Sequence, residues 1–292
     1  MTDNRTTLDT ESLPRLAPRP AESNKGDFGR ALLIGGSRGM AGAAALAGMA
    51  ALRSGAGLVR VAVADCCLDT VAAFEPSLMT APLPADSQGR IAGAAQETIA
   101  ELAKTATAVA CGPGLSRSAE LDRLVSWLYT TLEQPAAFDA DALNALATQS
   151  DVLRRPGGPR VLTPHPGEFA RLVQSQAIAA RDEQERQAVA LAAACRVVIV
   201  LKGHRTLVTD GREQYHNTTG NPGMSTGGTG DVLTGIVTAL LCQRLSPLDA
   251  ARLGAHVHGL AGDLAAAELG QVSLIASDLV RFLPQAFRQV SD

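Results

Sequence analysis

The chain has 292 residues, 46% of them hydrophobic, 19% charged and 3% aromatic, with a formal net charge of −3. That size and apolar content describe a globular protein of one large or two smaller α/β domains, with a core rich in alanine. The near balance of charge and the scarcity of aromatic rings give no reason to expect nucleic acid or an acidic membrane as partner, and no apolar stretch is long enough to span a bilayer.

The five cysteines (Cys66, Cys67, Cys111, Cys195 and Cys242) show no CxxC or metal-ligand spacing, so free thiols in a reducing compartment are expected. The N-terminus carries Asp3, Arg5, Asp9 and Glu11 without an apolar stretch, so no secretory signal is expected and the protein is expected in the cytoplasm. Residues 1 to 24 mix Thr, Pro, Arg and Asp without periodicity. They read as a mobile arm, free to lie on a neighbouring subunit, ahead of one domain over residues 25–292.

Order is expected from Gly26. Arg30–Ile34 is a short buried strand, Gly35–Gly39 turns the chain, and a helix runs over Ala41–Arg53. Its small residues Ala43, Ala44, Ala45 and Gly48 allow close packing on a sheet or a ligand. Leu58–Val63 is the next strand, which completes a strand–helix–strand unit with a parallel crossover. The stretch GGSRGMAG approaches a dinucleotide-binding GxGxxG, but its spacing does not fit.

The alternation continues with helices at Gln96–Lys104, Ala119–Leu132 and Asp141–Ala147 and strands at Ala106–Cys111, Ala136–Phe138 and Arg160–Leu162. Cys111-Gly112-Pro113-Gly114-Leu115 follows a strand, so its glycines belong at the carboxyl edge, where open parallel sheets bind ligands. Asp139-Ala140-Asp141-Ala142-Leu143-Asn144 also follows a strand, and its polar side chains suit either a helix cap or a magnesium ion held through water. No metal ligand is assigned. In Thr163-Pro164-His165-Pro166-Gly167-Glu168 two prolines stiffen a loop around His165, whose role is structural or ligand-facing.

A helix ends at Cys195, and the strand Val197–Leu201 leads into Lys202-Gly203-His204-Arg205-Thr206. That run reads either as a turn or as a site for nucleotide phosphate or ribose. A hairpin about Asp210-Gly211 follows. Asn217–Gly235 then brings six glycines in nineteen residues, ending in Gly227-Gly228-Thr229-Gly230-Asp231 before a helical apolar pattern. A helix N-terminus with bare amides favours an anion, and Asp231 in its first turn would face whatever those amides hold. A flexible loop before an ordinary acidic helix start is the alternative; a Walker loop is not, because no Lys follows the glycines. Helices over Asp231–Cys242, Pro247–Glu268 and Ser277–Gln289 complete the chain, with His256 and His258 two apart and unfit to share a metal.

GGTGDVLTG resembles the anion-hole motif of the ribokinase-like superfamily. GDFGRALLIGGSRGMAGAAALAGMAALRSGAGLVRVA and TPHPGE are similar, within it, to the ADP/ATP-dependent NAD(P)H-hydrate dehydratases. The resemblance covers nearly everything from Gly26 onward. It implies a single ribokinase-like three-layer α/β/α sandwich with a central, mostly parallel sheet. It further implies that Asp231 is the catalytic base, that Gly227, Gly228, Thr229 and Gly230 form the anion hole, and that Ala43, Gly114, His165 and Asp231 contact the hydrated nicotinamide nucleotide. Ala41 and Gly42 rival Ala43. Lys202, Gly203, His204, Arg205, Thr206 and Gly230 fall to the adenine nucleotide.

The implied reaction phosphorylates the hydroxyl of the S-form of NADH or NADPH hydrate with ADP or ATP, assisted by Mg2+, and regenerates NAD(P)H as phosphate leaves. ADP is favoured as the donor. A homotetramer and cooperation with a separate NAD(P)H-hydrate epimerase are implied as well, since 24 residues are too few for the epimerase domain that some relatives carry. Asp231, beside a helix N-terminus, is expected to rest ionised. A plain kinase of a small vitamin-type alcohol and a nucleotide sensor without turnover are the competing readings.

Overall fold

A computed structural model describes residues 6–8 and 13–291, Ser150 by its backbone alone. The strands are the short apolar runs of the sequence: β2 (Arg30–Ile34), β3 (Leu58–Ala64), β5 (Ala108–Cys111), β6 (Ala136–Phe138), β7 (Arg160–Leu162) and β8 (Val198–Leu201). Nearly every residue in them is buried, as in a sheet covered on both faces. Three further strands are β4 (Met79–Leu83) and the hairpin β9 (Leu207–Thr209) and β10 (Glu213–His216).

The sheet order is β10-β9-β8-β7-β6-β5-β2-β3-β4, and an additional strand, β1 (Thr6–Leu8), joins beyond β10. From β4 through β8 all neighbours are parallel, whereas β9 runs against both β8 and β10. Pro82 lies in β4, which is an edge strand, the place in a sheet where a missing N–H is tolerated.

Helices close both faces. On one side lie α1 (Ala41–Arg53), α8 (Thr229–Cys242), α9 (Pro247–Leu269) and α10 (Ala276–Ser291). The helices α3 (Gln96–Ala103), α4 (Ala119–Thr131), α5 (Asp141–Ala147), α6 (Pro166–Leu172) and α7 (Arg181–Cys195) form the other layer, and the short α2 (Leu68–Ala72) packs by β3 and β4. This is the expected mostly parallel α/β/α sandwich. The pair α1 and α8 packs tightly because small residues face each other: a methyl group added at Gly235 would collide with the Ala47 carbonyl oxygen. Among the described residues no helix is long and apolar enough to cross a membrane.

The arm departs from expectation where it is described. Thr6–Leu8 pairs in parallel with Glu213–Tyr215. Leu13 and Leu16 pack on the core, and the Arg19 guanidinium sits 3.8 Å over the Phe28 ring while Nη2 donates to the Gly55 carbonyl at 2.8 Å. A three-residue edge strand and a cation–π contact leave no periodic trace in a sequence, so a lack of periodicity did not mean a lack of partners. The residues between 8 and 13 lie outside the description.

Candidate functional site

The chain leaves the β2–β5 boundary in two directions, through β3 to β4 on one side and through β6 and β7 to β8 on the other. Such a switch point opens a crevice at the carboxyl ends of the strands. The loops after β2 and β5 meet across it: the Gly36 amide donates to the Pro113 carbonyl at 2.8 Å, and Ser37 Oγ to the Gly114 carbonyl at 2.9 Å. Gly114 abuts α1, since a methyl group added there would stand 3.0 Å from Ala43 Cβ. Two of the expected substrate contacts, Ala43 and Gly114, thus adjoin. Ala41 is buried, while Gly42 and Ala43 stay partly open.

α8 starts over this crevice. Gly228 is its N-cap with φ 94°, and no side chain caps the first turn. Around Gly227 there is open space: nothing lies within 4 Å of a methyl group built there. Thr229 turns its hydroxyl back to the Met224 and Thr226 carbonyls, both at 3.1 Å, and so away from the open amides.

The glycine loop is also fixed from below by α9. Thr219 Oγ1 donates to the His256 carbonyl at 2.8 Å, Asn217 Nδ2 to the Ala255 carbonyl at 3.2 Å, and Asp263 accepts from the Gly220 amide at 2.8 Å and from Asn221 Nδ2 at 2.9 Å. His258 Nε2 stands 2.9 Å from the Thr229 carbonyl oxygen. The loop is a braced structure rather than a flexible linker.

The connections after β6, β7 and β8 bring charge to the start of α8. Asp139, at the end of β6, is 1% exposed. Lys202, at the end of β8, places Nζ 2.8 Å from Asp139 Oδ1 and 3.9 Å from Glu168 Oε2. On α8, Thr234 Oγ1 donates to Asp139 Oδ2 at 2.8 Å. A methyl group added at Gly230 would lie 3.2 Å from Lys202 Nζ and 3.5 Å from Asp139 Oδ2, so the ammonium stands beside the first turn.

Asp141 accepts from the Ser116 amide at 2.8 Å, and between the two aspartates Ala140 takes φ 50° and ψ −118°. A non-glycine residue in that region stores strain of about 1–3 kcal/mol, of the kind that gathers at functional sites.

This gathering of charge corrects the expectation for Asp231. Burial, followed by the neighbouring Asp139, raises its carboxyl to about 7; Lys202 opposes the rise, and Asp141 and Glu168 add to it. The helix N-terminus does favour the ionised form. Desolvation and three nearby carboxylates outweigh it, and none of the three could be placed from the sequence. Burial pulls the Lys202 ammonium down, but Asp139 and Glu168 prevail and hold it above the usual lysine value. Burial likewise lifts the Glu168 carboxyl against the pull of Lys202.

The TPHPGE stretch is not the stiff loop expected from its prolines: it opens α6. His165 is the N-cap, with Nδ1 accepting from the Gly167 amide at 3.0 Å and the Glu168 amide at 3.3 Å, and Glu168 Oε2 accepts from the His165 amide at 2.8 Å. Nδ1 is therefore an acceptor and the neutral ring carries its proton on Nε2. Burial, Lys202 and Arg171 hold His165 below the ordinary histidine value.

The Lys202–Thr206 run divides. Lys202 turns inward to Asp139, whereas Gly203, His204 and Arg205 are exposed, and Thr206 Oγ1 bonds the Gly203 carbonyl at 3.1 Å. Arg181, on α7, braces this loop through the Leu201, Lys202 and Arg205 carbonyls, each at 3.2 Å. Asp139, Thr234, His258 and Arg181 escaped the sequence reading as site residues, although Asp139 and Thr234 stood in segments singled out there.

Known proteins resemble this chain over most of its length. Residues 31–285 match the family described as NAD(P)H-hydrate dehydratase. The bifunctional NAD(P)H-hydrate repair enzyme Nnr of Moorella thermoacetica is 45% identical over 282 residues, 96% of this chain and 52% of that protein. The ADP-dependent (S)-NAD(P)H-hydrate dehydratase of Bacillus subtilis is 35% identical over 276 residues, 94% of either chain. The crystal structure of the ADP/ATP-dependent NAD(P)H-hydrate dehydratase from Bacillus subtilis, co-crystallised with ATP/Mg2+, matches with a TM-score of 0.81 at 31% identity over 94% of this chain and 95% of that one. The chain spans about half the length of the bifunctional relatives it matches. By the extent of these matches, the chain belongs to the NAD(P)H-hydrate dehydratase family.

Proposed function

We infer that this site spends an adenine nucleotide to dehydrate the S-form of NADH or NADPH hydrate, and so repairs damaged cofactor. One observation carries the reading: Asp231, a carboxyl raised to about 7, sits in an uncapped first helical turn with the Lys202 ammonium alongside. A base works best with a pKa near the operating pH, and bare amides with an adjacent cation suit a phosphoryl group in transfer.

In this reading the hydrate lies along Ala43, Gly114 and His165. Its hydroxyl oxygen attacks the terminal phosphorus while Asp231 takes the hydroxyl proton, and the bond to the nucleotide breaks, releasing AMP from ADP. The amides of Gly227 to Gly230 and the Lys202 ammonium offset charge on the group in flight. Phosphate then departs from the ring carbon and a proton from its neighbour, which restores the double bond of NAD(P)H.

The nucleotide's remaining phosphate and ribose fall to Gly203, His204, Arg205 and Thr206. Among the described residues no group of three or more His, Cys, Asp or Glu is arranged to hold a metal ion. Magnesium enters as part of the nucleotide substrate, keeping most of its waters. ADP is the preferred donor, in line with the name of the Bacillus subtilis relative. Family resemblance alone supports a homotetramer, a cytoplasmic setting and a separate epimerase that supplies the S-form.

The test is to incubate the protein with hydrated NADH and ADP. A rise in reduced-nicotinamide absorbance, with AMP and phosphate in equal amounts, is expected. A stable phosphorylated alcohol with no such rise establishes a kinase instead, and nucleotide binding without turnover a sensor.

A further inference from the structure

We propose that Asp139 is the positioning residue of this site: by gripping Lys202 Nζ with one carboxylate oxygen and Thr234 Oγ1 with the other, it fixes the ammonium beside the first turn of α8 and bolts that turn, with Asp231, to the carboxyl edge of the sheet. The proposal rests on the reading of Asp231 as the base.

The geometry is that of a clamp. Both bonds are 2.8 Å, and they tie β6 to residues 63 and 95 positions away. The Thr234 hydroxyl also lies 3.2 Å from the Gly230 carbonyl, so it joins Asp139 to the turn that bears Asp231. A carboxylate so buried is tolerated only when its oxygens are bonded, and removing a partner leaves an uncompensated charge. The backbone supports the clamp as well. The Asp139 amide donates to the Cys111 carbonyl at 3.1 Å, a methyl group at Gly112 would collide with the Asp139 carbonyl, and strained Ala140 comes next.

The groups that face Asp231 are Asp139 from the end of β6, Asp141 from α5, Glu168 from α6 and Lys202 from the end of β8. From α9, His258 feels both Lys202 and Asp139. Among the charged neighbours Asp139 weighs most on Asp231, and it holds the cation that opposes it.

Asp139→Asn separates clamp from filler, because its amide oxygen still accepts from Thr234 but its nitrogen cannot hold an ammonium. The readout is the titration of the Asp231 carboxyl followed by 13C NMR, its resonance identified with Asp231→Asn. We expect the midpoint of Asp231 to fall by roughly one pH unit in Asp139→Asn. Turnover is expected to fall at least about tenfold, more than nucleotide affinity changes, with a melting temperature near that of the parent. In the folded variant an unmoved midpoint overturns the proposal, as does undiminished turnover. Should Asp139→Asn not fold, Lys202→Met tests the grip from its other end: the Asp231 midpoint must then rise, and an unchanged value overturns the proposal. The titration needs no substrate. It therefore tests Asp139 even in a protein that dehydrates no hydrate, and a midpoint that moves as expected without any turnover faults the proposed reaction alone.

Discussion

The imidazole of His258 on α9 reaches across to α8, where its Nε2 lies 2.9 Å from the carbonyl oxygen of Thr229 in the first turn. A carbonyl only accepts, so Nε2 carries the proton and this contact belongs to a ring that donates there. Burial, partly offset by the bond to Thr229 and reinforced by Lys202, holds His258 down to about 4.

The consequence is a pH dependence of stability. A histidine whose folded value lies below its unfolded value, 6.5 for the free group, binds fewer protons folded than unfolded between the two. Its contribution is present above 6.5 and is lost as the pH falls toward about 4. The melting temperature is expected to decline through that window. His258→Gln, which keeps an N–H donor but cannot titrate, should flatten the decline. His165 and His256, both lowered by burial, keep part of it. An equal slope in parent and variant would contradict the contact.

Gly228 and Gly230 should respond in opposite ways to the same substitution. At Gly228, φ is 94° and a methyl group would come within 2.8 Å of Leu46 Cδ1 and 2.9 Å of Ala276 Cβ, so Gly228→Ala should lower the melting temperature by several degrees. At Gly230 the backbone is helical and the nearest atom is Lys202 Nζ, 3.2 Å away. Gly230→Ala should keep or slightly raise stability. It should weaken nucleotide affinity about tenfold, because the methyl group occupies the space between the open amides and the ammonium. Calorimetry and thermal melts on both variants check this; unchanged affinity in Gly230→Ala would show that the phosphates lie elsewhere.

The arm gives a third expectation. Deleting residues 1–24 removes β1 from the edge of β10, Leu13 and Leu16 from the core, and the Arg19 contacts with Phe28 and Gly55. A drop in melting temperature of about 5 °C or more is expected from the loss of a few kcal/mol in a chain of this size. A melt that coincides with the parent would show that these contacts contribute nothing in solution.

The parts of the fold that could be read from the sequence are those where one residue class fills a whole element. Arg30–Ile34, Ala136–Phe138 and Arg160–Leu162 are nearly pure apolar runs, and the small-residue stripe of Ala41–Arg53 announced its close packing. β4 was overlooked because Pro82 and Thr80 interrupt its pattern, which an edge strand tolerates. α6 was overlooked because Pro164 and Pro166 read as stiffeners, although a proline at the first helical position and Glu168 three residues after His165 are helix-start signals.

The site divides along the same line. Asp231 and its glycines sit together in the chain and could be recognised there. The grip of Asp139 on Lys202 and Thr234 spans 63 and 95 residues, so no local pattern could reveal it. The raised value of Asp231 follows the same rule, since it depends on burial and on carboxylates that only the fold assembles.

A fourth expectation comes from the Asp231 carboxyl itself. The base acts only when ionised, so kcat/KM for hydrated NADH should rise with pH through about 7 and level off above it. A profile flat from pH 5.5 to 8.5 would mean that another group takes the proton.

The most direct test of the account is the turnover of Asp231→Asn beside its nucleotide affinity. Asparagine keeps the size of the side chain at the start of α8 and cannot accept the hydroxyl proton. The account predicts a folded protein that binds ADP nearly as the parent does and dehydrates hydrated NADH at least about 10²-fold more slowly, the lower range for losing a positioned general base. Turnover within a few-fold of the parent would contradict it and leave Asp231 as no more than part of the helix start.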